Sequence, residues 1–428
     1  MSETFIERDL FKEVFRHLKE REMTVITGAR QVGKSTLIRQ LRDHLVKSGE
    51  AKENEIKTFD LDLITDLELF SSQKEFIRYL RIEAEGKKKL YIFVDEVQRL
   101  ESPGVFFKGI YDLGLSIKLV LTGSSSLEIK ARIQEPLTGR KRLFTLYPFS
   151  FREFLGRESS LVSLLNGKEM DVFHRGQILD RFFNYLVYGG YPRVATEQNE
   201  NNKHHILKEI FSSYVEKDIV GFLKIRQALQ FSRLVSLLAG QLGQLVNVKE
   251  LSNSLDMKQS TVLGYLRVLE QTFVCSLVRP FFKNARKELT KMPRIYFWDS
   301  GLRNLGLEAF RPFGQREDRG MLVENFVFAE LAREAPGWIR YWRTKDKSEV
   351  DLVIAHPGGT VIPIEVKAQA LKNPDVPRGL AAFIKRYHPP RAWVVNMGIS
   401  QKIKLGETAV HFIYPFQTSQ ILQSMLSA

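Results

Sequence analysis

The sequence predicts an α/β fold that begins with a mostly parallel sheet covered by helices on both faces. Between about residues 8 and 148, short apolar runs such as "MTVIT", "LYIFVDEV" and "SIKLVLTGSSS" alternate with segments of helical periodicity, the pattern of a parallel sheet. From about residue 149 the periodicity becomes mainly helical, and after residue 293 two apolar runs joined by "HPGG" predict a β-hairpin. We therefore expect four segments, 1–150, 151–226, 227–292 and 293–428.

The composition is that of a large basic protein. Among 428 residues, 43% are hydrophobic, and 64 Lys and Arg against 50 Asp and Glu give a net charge of +14. This charge favours a polyanionic partner such as DNA, although a solubilising surface explains it equally well. The single cysteine, Cys275, excludes an intrachain disulfide and a thiolate zinc cluster. No apolar signal segment and no run as long as a membrane span is present, so we expect a cytoplasmic protein with no membrane partner.

A glycine-rich loop lies between the first predicted strand and the helix that follows it. The residues "GARQVGKS" fit the P-loop pattern G-x-x-x-x-G-K-[ST]. Loop N–H groups and the helix N-terminus would direct partial positive charge at the phosphates of ATP. Lys34 would bridge the β- and γ-phosphates, and Ser35 would ligate Mg²⁺. The predicted nucleotide-binding residues of the loop are Gly28, Ala29, Arg30, Gln31, Val32, Gly33, Lys34, Ser35 and Thr36.

Polar residues end two other apolar runs. Asp95 would hold the hydration shell of Mg²⁺, and Glu96 would orient and deprotonate the attacking water; alternatively, both only cap a strand end. Thr122 or Ser124 would bond the γ-phosphate or the water, or would simply cap a turn. Arg140 would stabilise transition-state charge at the site of a neighbouring subunit, or would be an ordinary surface charge.

Further motifs follow in a fixed order, namely "FVDEVQ", "LTGSS", "LTGR", "YPFSFREF", "GGYPRV", "YFWDSGL", "VENFVFAEL" and "EVDLVI" with "IPIEVK". Together with the P-loop, this series resembles the AAA+-type ATPases of archaea and bacteria that carry a C-terminal DUF4143 domain. The resemblance covers nearly the whole chain. It implies an AAA+-like ATPase domain of the ASCE class at 1–150, with Glu96 as the base, and a helical linker or lid at 151–226. AAA+ sites are often completed by an arginine of the adjacent subunit, so we expect a homo-oligomer, with a ring as one form.

Residues 227–292 resemble a winged helix-turn-helix. The stretch "NVKELSNSLDMKQSTVLGYLRVLEQ" predicts two short helices joined by a turn, and a hairpin rich in Lys and Arg would follow as the wing. The alternative is that this module packs against its own ATPase domain. The side chains that would face a DNA groove are Lys258, Gln259, Thr261 and Tyr265. Those that would contact phosphates are Arg279, Lys283, Arg286, Lys287 and Lys291.

Acidic residues in 293–428 resemble the core of the PD-(D/E)xK nuclease fold. Asp351 lies on one strand of the predicted hairpin, and Glu365 and Lys367 share one side of the other strand. Glu324, on the preceding helix, would be an accessory acid. Such oxygen ligands suit Mg²⁺ or Mn²⁺, which would polarise a phosphodiester while Lys367 steers the attacking water. The Pro-Asp dipeptide is absent, because the first acid stands in "EVD".

Two alternatives to nuclease activity stay open for this segment. Domains of this fold can keep their acids and serve only as DNA-binding platforms. The pair formed by Lys367 and Glu365 can also be purely structural.

These predictions combine into an ATP-driven enzyme that works on DNA. ATP turnover would drive translocation, remodelling or metal-dependent cleavage, with duplex or branched DNA as the partner. A signalling or regulatory NTPase, whose C-terminal segments bind proteins, is a different class of answer. A third is a DNA-binding ATPase with an inactive nuclease fold.

Overall fold

The computed structural model describes residues 6–124, 137–156, 158–165, 170–213, 228–282, 291–346 and 348–426. The chain forms two compact units, one of Met1–Pro148 with Gln271–Phe273 and one of Phe149–Glu270 with Val274–Ala428. The second unit is not divided further at residue 227 or 293, and those two boundaries stay predictions. No helix in the described ranges is both long and apolar enough to span a membrane.

The first unit is built on a five-stranded parallel sheet. Its strands are β1 (Met23–Gly28), β2 (Ile56–Asp60), β3 (Leu90–Asp95), β4 (Ile117–Ser124) and β5 (Lys141–Leu146). They lie in the order β2-β3-β4-β1-β5, and every neighbouring pair is parallel. The predicted parallel sheet is confirmed, and this order brings the carboxyl ends of β1, β4 and β3 side by side.

Helices connect these strands. They are α1 (Phe11–His17), α2 (Lys34–Lys47), α3 (Ile64–Leu69), α4 (Gln73–Ala84) and α5 (Pro103–Asp112), with 3-10 turns at Glu53–Glu55 and Val97–Arg99. β1 and β3 are buried along their whole length, as expected of strands covered on both faces. Their apolar side chains pack with Phe76, Leu80 and Phe107 of the helices.

The second unit begins with helices. They are α6 (Phe151–Phe154), α7 (Ser159–Leu164), α8 (Val172–Tyr188), α9 (Pro192–Thr196), α10 (Glu200–Ser213) and α11 (Ala228–Gly240). A shorter pair, α12 (Val248–Ser254) and α13 (Gln259–Gln271), follows, and then two antiparallel strands, β6 (Cys275–Val278) and β7 (Arg294–Phe297). Next come α14 (Ser300–Leu305), a 3-10 turn at Phe313–Gln315 and α15 (Arg319–Glu334).

A six-stranded mixed sheet completes the second unit. Its strands are β8 (Ile339–Arg343), β9 (Glu349–Ala355), β10 (Val361–Val366), β11 (Arg391–Val395), β12 (Gln401–Leu405) and β13 (Thr408–Ile413), in the order β12-β13-β11-β10-β9-β8. The remaining elements are α16 (Arg378–Tyr387), a 3-10 turn at Pro415–Gln417 and α17 (Ser419–Leu426). β9 and β10 pair antiparallel across "HPGG", which confirms the predicted hairpin.

A buried carboxylate fixes the segment "YGGYPRV" at the end of α8. Asp299 is 4% exposed, and its Oδ2 accepts a hydrogen bond from the Gly190 N–H at 2.7 Å. Gly189 has φ 80°, and a Cβ there would lie 2.4 Å from both carboxylate oxygens. Asn304 donates from Nδ2 to the carbonyls of Leu186 and Val187, at 3.0 and 2.8 Å. These contacts, which we call the α8–α14 lock, join the motif "YGGYPRV" to the motif "YFWDSGL" and the start of α14.

Candidate functional site

The P-loop starts where β1 approaches a neighbouring strand very closely. Gly28, the last residue of β1, pairs with Leu146 of β5. A Cβ at Gly28 would lie 2.0 Å from the carbonyl oxygen of Leu146, so only glycine fits there. The loop ends at Gly33, the N-cap residue of α2. Because α2 is 14 residues long, its dipole and free N–H groups favour a phosphate at this end.

The side chain of Lys34, predicted to bind the β- and γ-phosphates, folds back over the P-loop. The side chain is buried, and Nζ donates to the carbonyls of Gly28 and Ala29 at 3.2 and 2.9 Å. Phosphate oxygens could replace these carbonyls after a local movement of the ammonium group. Ser35 is exposed in the first turn of α2. Of the other predicted contacts, Val32 is buried, and Arg30, Gln31, Gly33 and Thr36 are half-buried.

A second buried cation braces the loop from outside the motif. Arg8 is 6% exposed, and its Nη1 donates to the carbonyl oxygen of Val32 at 2.7 Å. Its Nη2 donates to the carbonyl oxygen of Tyr147 at 2.6 Å. The guanidinium therefore ties the middle of the P-loop to the chain that follows β5. Arg8 is a positioning residue, since it acts through the loop backbone.

The acid pair lies at the carboxyl end of β3. Asp95 is 8% exposed, and its Oδ1 accepts hydrogen bonds from the Glu96 N–H at 3.0 Å and from the Thr122 hydroxyl. Glu96 has left-handed backbone angles, φ 56° and ψ 42°, which cost a non-glycine residue on the order of 1 kcal/mol. Burial raises the pKa of Glu96, while the charge of Lys34 opposes that shift. A carboxylate of raised pKa beside the P-loop lysine is suited to accept a proton from water.

The other three residues predicted for this site, Thr122, Ser124 and Arg140, lie in different positions relative to the P-loop. Thr122 is fully buried on β4 and donates to Asp95, so its hydroxyl positions the acid. The Cα of Ser124 pairs with that of Gly28, which places its backbone beside the start of the P-loop. Arg140 lies at the other end of the sheet, where its carbonyl accepts from the Met23 N–H at 2.8 Å. Its guanidinium forms an ion pair with Asp112 at 2.8 Å.

The second unit brings acids of three elements together. Asp351 of β9 accepts at Oδ2 from the Val366 N–H at 2.8 Å, and Lys367 Nζ lies 2.8 Å from Glu365 Oε1. Glu324 of α15 accepts at Oε1 from the Tyr296 hydroxyl at 2.6 Å. We use the name carboxylate cluster for Glu324, Glu349, Asp351 and Glu365 with the cations Arg294 and Lys367.

Burial and mutual repulsion disfavour the charged forms of these acids. Burial raises the pKa of Glu324 to about 8 and that of Glu365 to about 7, and the charge of Asp351 adds to both shifts. Burial also raises the pKa of Asp351, while the Val366 N–H, Arg294 and Lys367 oppose that shift. The positive charges of Arg294 and Lys367 therefore stabilise the ionised carboxylates of the cluster.

The metal site predicted at Glu324, Asp351 and Glu365 stays a prediction, and the structure does not bring the three carboxylates to one point. In the described part of the chain, no group of three or more His, Cys, Asp or Glu side chains is arranged to hold a metal ion. Glu324, Asp351 and Glu365 are near one another, but each carboxylate is turned to a different protein donor. Arg294 Nη1 lies 3.7 Å from Glu324 Oε1, and its Nη2 lies 3.0 Å from Glu349 Oε2. A guanidinium thus stands among acids that were predicted to ligate Mg²⁺ or Mn²⁺.

Family models match three parts of the chain. Residues 20–155 match AAA_14, whose description is AAA domain. An AAA domain is found here. Residues 319–416 match DUF4143 and residues 179–311 match DUF8612, both described as domains of unknown function. The resemblance to AAA-type ATPases with a DUF4143 domain is confirmed, and the nuclease resemblance stays a prediction.

Relatives match most of the chain at low identity. An uncharacterized protein of Haemophilus influenzae is 26% identical over 385 residues, which cover 87% of this chain and 89% of the relative. An uncharacterized protein of Mycobacterium tuberculosis is 25% identical over 407 residues, covering 94% and 82%. Among solved structures, the ORC2 protein of Aeropyrum pernix (ADPNP-ADP complexes) is similar with a TM-score of 0.42 and 13% identity, over 77% of this chain and 97% of that chain. AMPPCP-bound DnaA of Aquifex aeolicus gives a TM-score of 0.26 and 16% identity, over 61% and 86%.

Outside the AAA domain, the residues predicted to contact DNA differ in exposure. Lys258, Gln259, Arg279 and Lys291 are exposed, and Thr261 is half-buried. Lys283, Arg286 and Lys287 lie outside the described residues.

The structure corrects the prediction for Tyr265. This side chain is 4% exposed, and its ring packs on Phe231 with centroids 5.5 Å apart. Tyr265 follows Val262 by three residues and precedes Leu269 by four, so it shares their buried face of α13. It therefore contributes to the core and cannot face a groove.

Two arginines at these sites were missed by the sequence analysis. Arg8 contacts a carbonyl of the AAA domain 24 residues away and another 139 residues away, and no local pattern signals such contacts. Arg294, in "MPRIYF", had a usable signal. Alternation along a strand places Arg294 and Tyr296 on one side, where both meet Glu324.

Proposed function

We propose that this chain is an ATP hydrolase whose AAA domain powers work on DNA bound by the second unit. The observation that supports ATP hydrolysis is that the P-loop follows β1 and that Asp95 and Glu96 end β3, with the carboxyl ends of both strands at the same edge of the sheet and β4 between them. The charge of Lys34 lowers the pKa of Glu96 and opposes the effect of burial, which supports a site that the lysine and the base share.

The proposed chemistry gives a separate task to each group of the site. The loop N–H groups and Lys34 bind the β- and γ-phosphates and stabilise the charge that develops on them. Glu96 orients a water molecule and takes its proton, and Thr122 keeps Asp95 in place through its hydrogen bond. Arg8 holds the loop backbone in its binding shape. The water oxygen bonds to the γ-phosphorus while the bond from that phosphorus to the β–γ bridging oxygen breaks. ADP and phosphate then leave, and Glu96 releases its proton to solvent.

Mg²⁺ fits the residues of this site. Asp95 is a buried carboxylate beside the P-loop, and Ser35 offers a hydroxyl in the first turn of α2, which are the oxygen donors that Mg²⁺ prefers. These two residues would hold the ion. When bound, Mg²⁺ neutralises part of the phosphate charge.

DNA binding is supported by charge and by the exposed start of α13. The chain carries a net charge of +14, and Lys258 and Gln259 stand exposed at the first turn of the second helix of the α12–α13 pair. Side chains at that position of a helix-turn-helix reach base edges and phosphates. Arg279 and Lys291 are exposed beside the β6–β7 pair, where they would contact phosphates.

The form of work that fits best is remodelling or translocation of DNA. Metal-dependent cleavage would require the acids of the carboxylate cluster to converge on an ion, and the Arg294 guanidinium stands among them. The second unit would therefore act as a DNA-binding platform.

Arg140 could serve only a neighbouring subunit. It lies at the amino end of β1, and a strand of six residues separates it from the P-loop by roughly 20 Å. A role for Arg140 requires a homo-oligomer and the opening of its ion pair with Asp112. Mixing Arg140→Ala chains with Lys34→Ala chains tests this proposal, because only a shared site would restore activity in mixed oligomers.

DNA binding is tested directly by anisotropy of labelled duplex and branched oligonucleotides over a salt series. We expect binding that weakens steeply with salt, because phosphate contacts release counterions. The double variant Lys258→Ala/Gln259→Ala should bind more weakly, and the control Lys372→Ala, an exposed lysine of the same unit, should bind as wild type. No retention of any DNA at low salt would contradict the proposal and favour a regulatory NTPase.

A further inference from the structure

Arg294 is a permanent cation within the carboxylate cluster. It lies on β7 with 7% of its side chain exposed, and its two terminal nitrogens point to different acids, Glu324 and Glu349. Its guanidinium carbon lies 4.9 Å from the centre of the Tyr341 ring, a cation–π contact that favours this rotamer. Since guanidinium does not lose its proton in proteins, its charge is present at every physiological pH.

Each acid around Arg294 and Lys367 has a protein donor at one of its two oxygens, and Glu365 Oε2 is buried without a partner among the described residues. Glu349 and Glu324 face Arg294, Glu365 faces Lys367, and Asp351 accepts from a backbone N–H. A divalent ion needs several oxygens at about 2.0–2.6 Å from one point. The described residues contain no set of acids so arranged. The donors therefore turn the carboxylates towards different partners and not towards one point.

Solvent reaches this cluster through a cavity of about 480 Å³, lined by Arg294, Glu324, Glu349 and Asp351 together with Gly243 and Met321. An ion entering by this route would meet the guanidinium beside Glu324 and Asp351. Like charges repel, so the resident cation opposes the entry of a second one.

We infer that Arg294 takes the place of a divalent metal ion among Glu324, Glu349 and Asp351, so that the wild-type chain binds no Mn²⁺ there. The inference does not rest on ATP hydrolysis or on DNA binding. It assigns Arg294 a structural charge-balancing role, and it implies that the DUF4143 part of the chain works without metal-dependent cleavage.

Mn²⁺ binding to the full chain, followed by the electron paramagnetic resonance signal of the free ion without nucleotide, tests the inference. Wild type and Glu324→Gln should bind equal amounts of Mn²⁺, because Glu324 balances the charge of Arg294 and does not bind the ion. Arg294→Met should gain an ion that wild type lacks, and Arg294→Met/Glu324→Gln should lose that gain. The P-loop is the same in all variants, so any ion held there cancels in the comparison.

Arg340→Met is the matched control, since Arg340 lies on β8 and donates to the carbonyls of Gly337 and Ile339. It should bind Mn²⁺ as wild type does. A wild-type site that disappears in Glu324→Gln would overturn the inference, and so would a folded Arg294→Met that gains no ion. If Arg294→Met fails to fold, the comparison of wild type with Glu324→Gln decides alone: equal binding supports the inference and a loss overturns it.

Discussion

At the scale of single residues, the nucleotide site depends most on Glu96. Its carboxylate stands beside Lys34, and its backbone is held in left-handed angles next to Asp95. Replacing Glu96 by Gln keeps the shape and removes the base. We expect Glu96→Gln to bind ATP as wild type does but to hydrolyse it slower by on the order of 10²–10⁴-fold.

Equilibrium binding of a fluorescent ATP analogue and a phosphate-release assay measure the two quantities separately. Glu101→Gln, an exposed acid after the same strand, is the matched control and should turn over normally. Normal turnover of Glu96→Gln would show that another group is the base.

Arg8 gives a prediction about the shape of the P-loop. Arg8→Met removes two hydrogen bonds to buried or half-buried carbonyls, which should destabilise the first unit by about 3 kcal/mol and weaken ATP binding. Arg8→Lys should restore part of the affinity. Arg16→Met, at an exposed position on α1, should change neither quantity. ATP affinity in Arg8→Met equal to that of wild type would contradict the positioning role.

His17 makes the first unit sensitive to acid. It is 3% exposed and hydrogen-bonded to Thr24 at 2.8 Å, and burial, with the charges of Lys118 and Arg142, lowers its pKa from 6.5 to about 4. Because the folded-state pKa lies below the unfolded one, this contribution to stability is complete above pH 6.5 and is lost as pH falls towards 4. Its full size is up to about 3 kcal/mol.

The measurement is hydrogen exchange of peptides covering α1 and β1 in wild type and His17→Gln between pH 7 and pH 4, corrected for the intrinsic exchange rate. The free-energy difference between the two proteins should shrink as pH falls. Peptides of α16, in the second unit, should show no such change. A difference independent of pH at α1 and β1 would contradict the lowered pKa of His17.

Residues of the nucleotide site could be predicted because their signals are local. Gly28 to Ser35 are contiguous, and Asp95 and Glu96 end an apolar run, so their place at the carboxyl ends of parallel strands followed from the pattern. The role of Thr122 could not be predicted, because two hydroxyls near the end of the same strand were equivalent in sequence. The place of Arg294 depended on the pairing of β7 with distant elements.

At the scale of secondary-structure elements, the α8–α14 lock stabilises the packing of α14 against the end of α8, the first long helix of the second unit. Asn304 is fully buried and supplies two hydrogen bonds to the last turn of α8. Asn304→Ala leaves the carbonyls of Leu186 and Val187 without this donor. We expect a loss of about 2–4 kcal/mol in the stability of the second unit.

Tryptophan fluorescence during urea unfolding reports on this unit, because all four tryptophans of the chain fall within its residues. Asn253→Ala, at an exposed position on α12, is the control and should unfold as wild type. An unchanged midpoint in Asn304→Ala would show that the lock contributes little.

Elements with strong periodicity were predicted well. The parallel sheet of the AAA domain and the β9–β10 hairpin follow from apolar runs and turn residues in sequence. The sequence predicts a break at "YGGYPRV". Its cause could not be predicted from neighbouring residues, because the carboxylate that binds this segment, Asp299, lies 109 residues further along the chain. The helical period of α13 should have placed Tyr265 in the core, since Val262 and Leu269 share its face.

At the scale of the whole molecule, the chain has one unit that contains the AAA domain and a second unit to which we assign DNA binding. The sequence pattern changes near residue 149, where strands give way to helices, and the first compact unit contains Met1–Pro148 with Gln271–Phe273. The compactness of 149–428 could not be anticipated, since it arises from contacts such as those between α8 and α14, more than 100 residues apart.

ATP hydrolysis measured with and without DNA tests whether nucleotide turnover in the AAA domain is coupled to DNA bound by the second unit. We predict that duplex or branched oligonucleotides raise the steady-state rate of wild type at low salt, and that this stimulation fades as salt rises. Lys258→Ala/Gln259→Ala should keep the basal rate and lose the stimulation. A wild-type rate that no form of DNA changes, at the lowest ionic strength, would contradict the account.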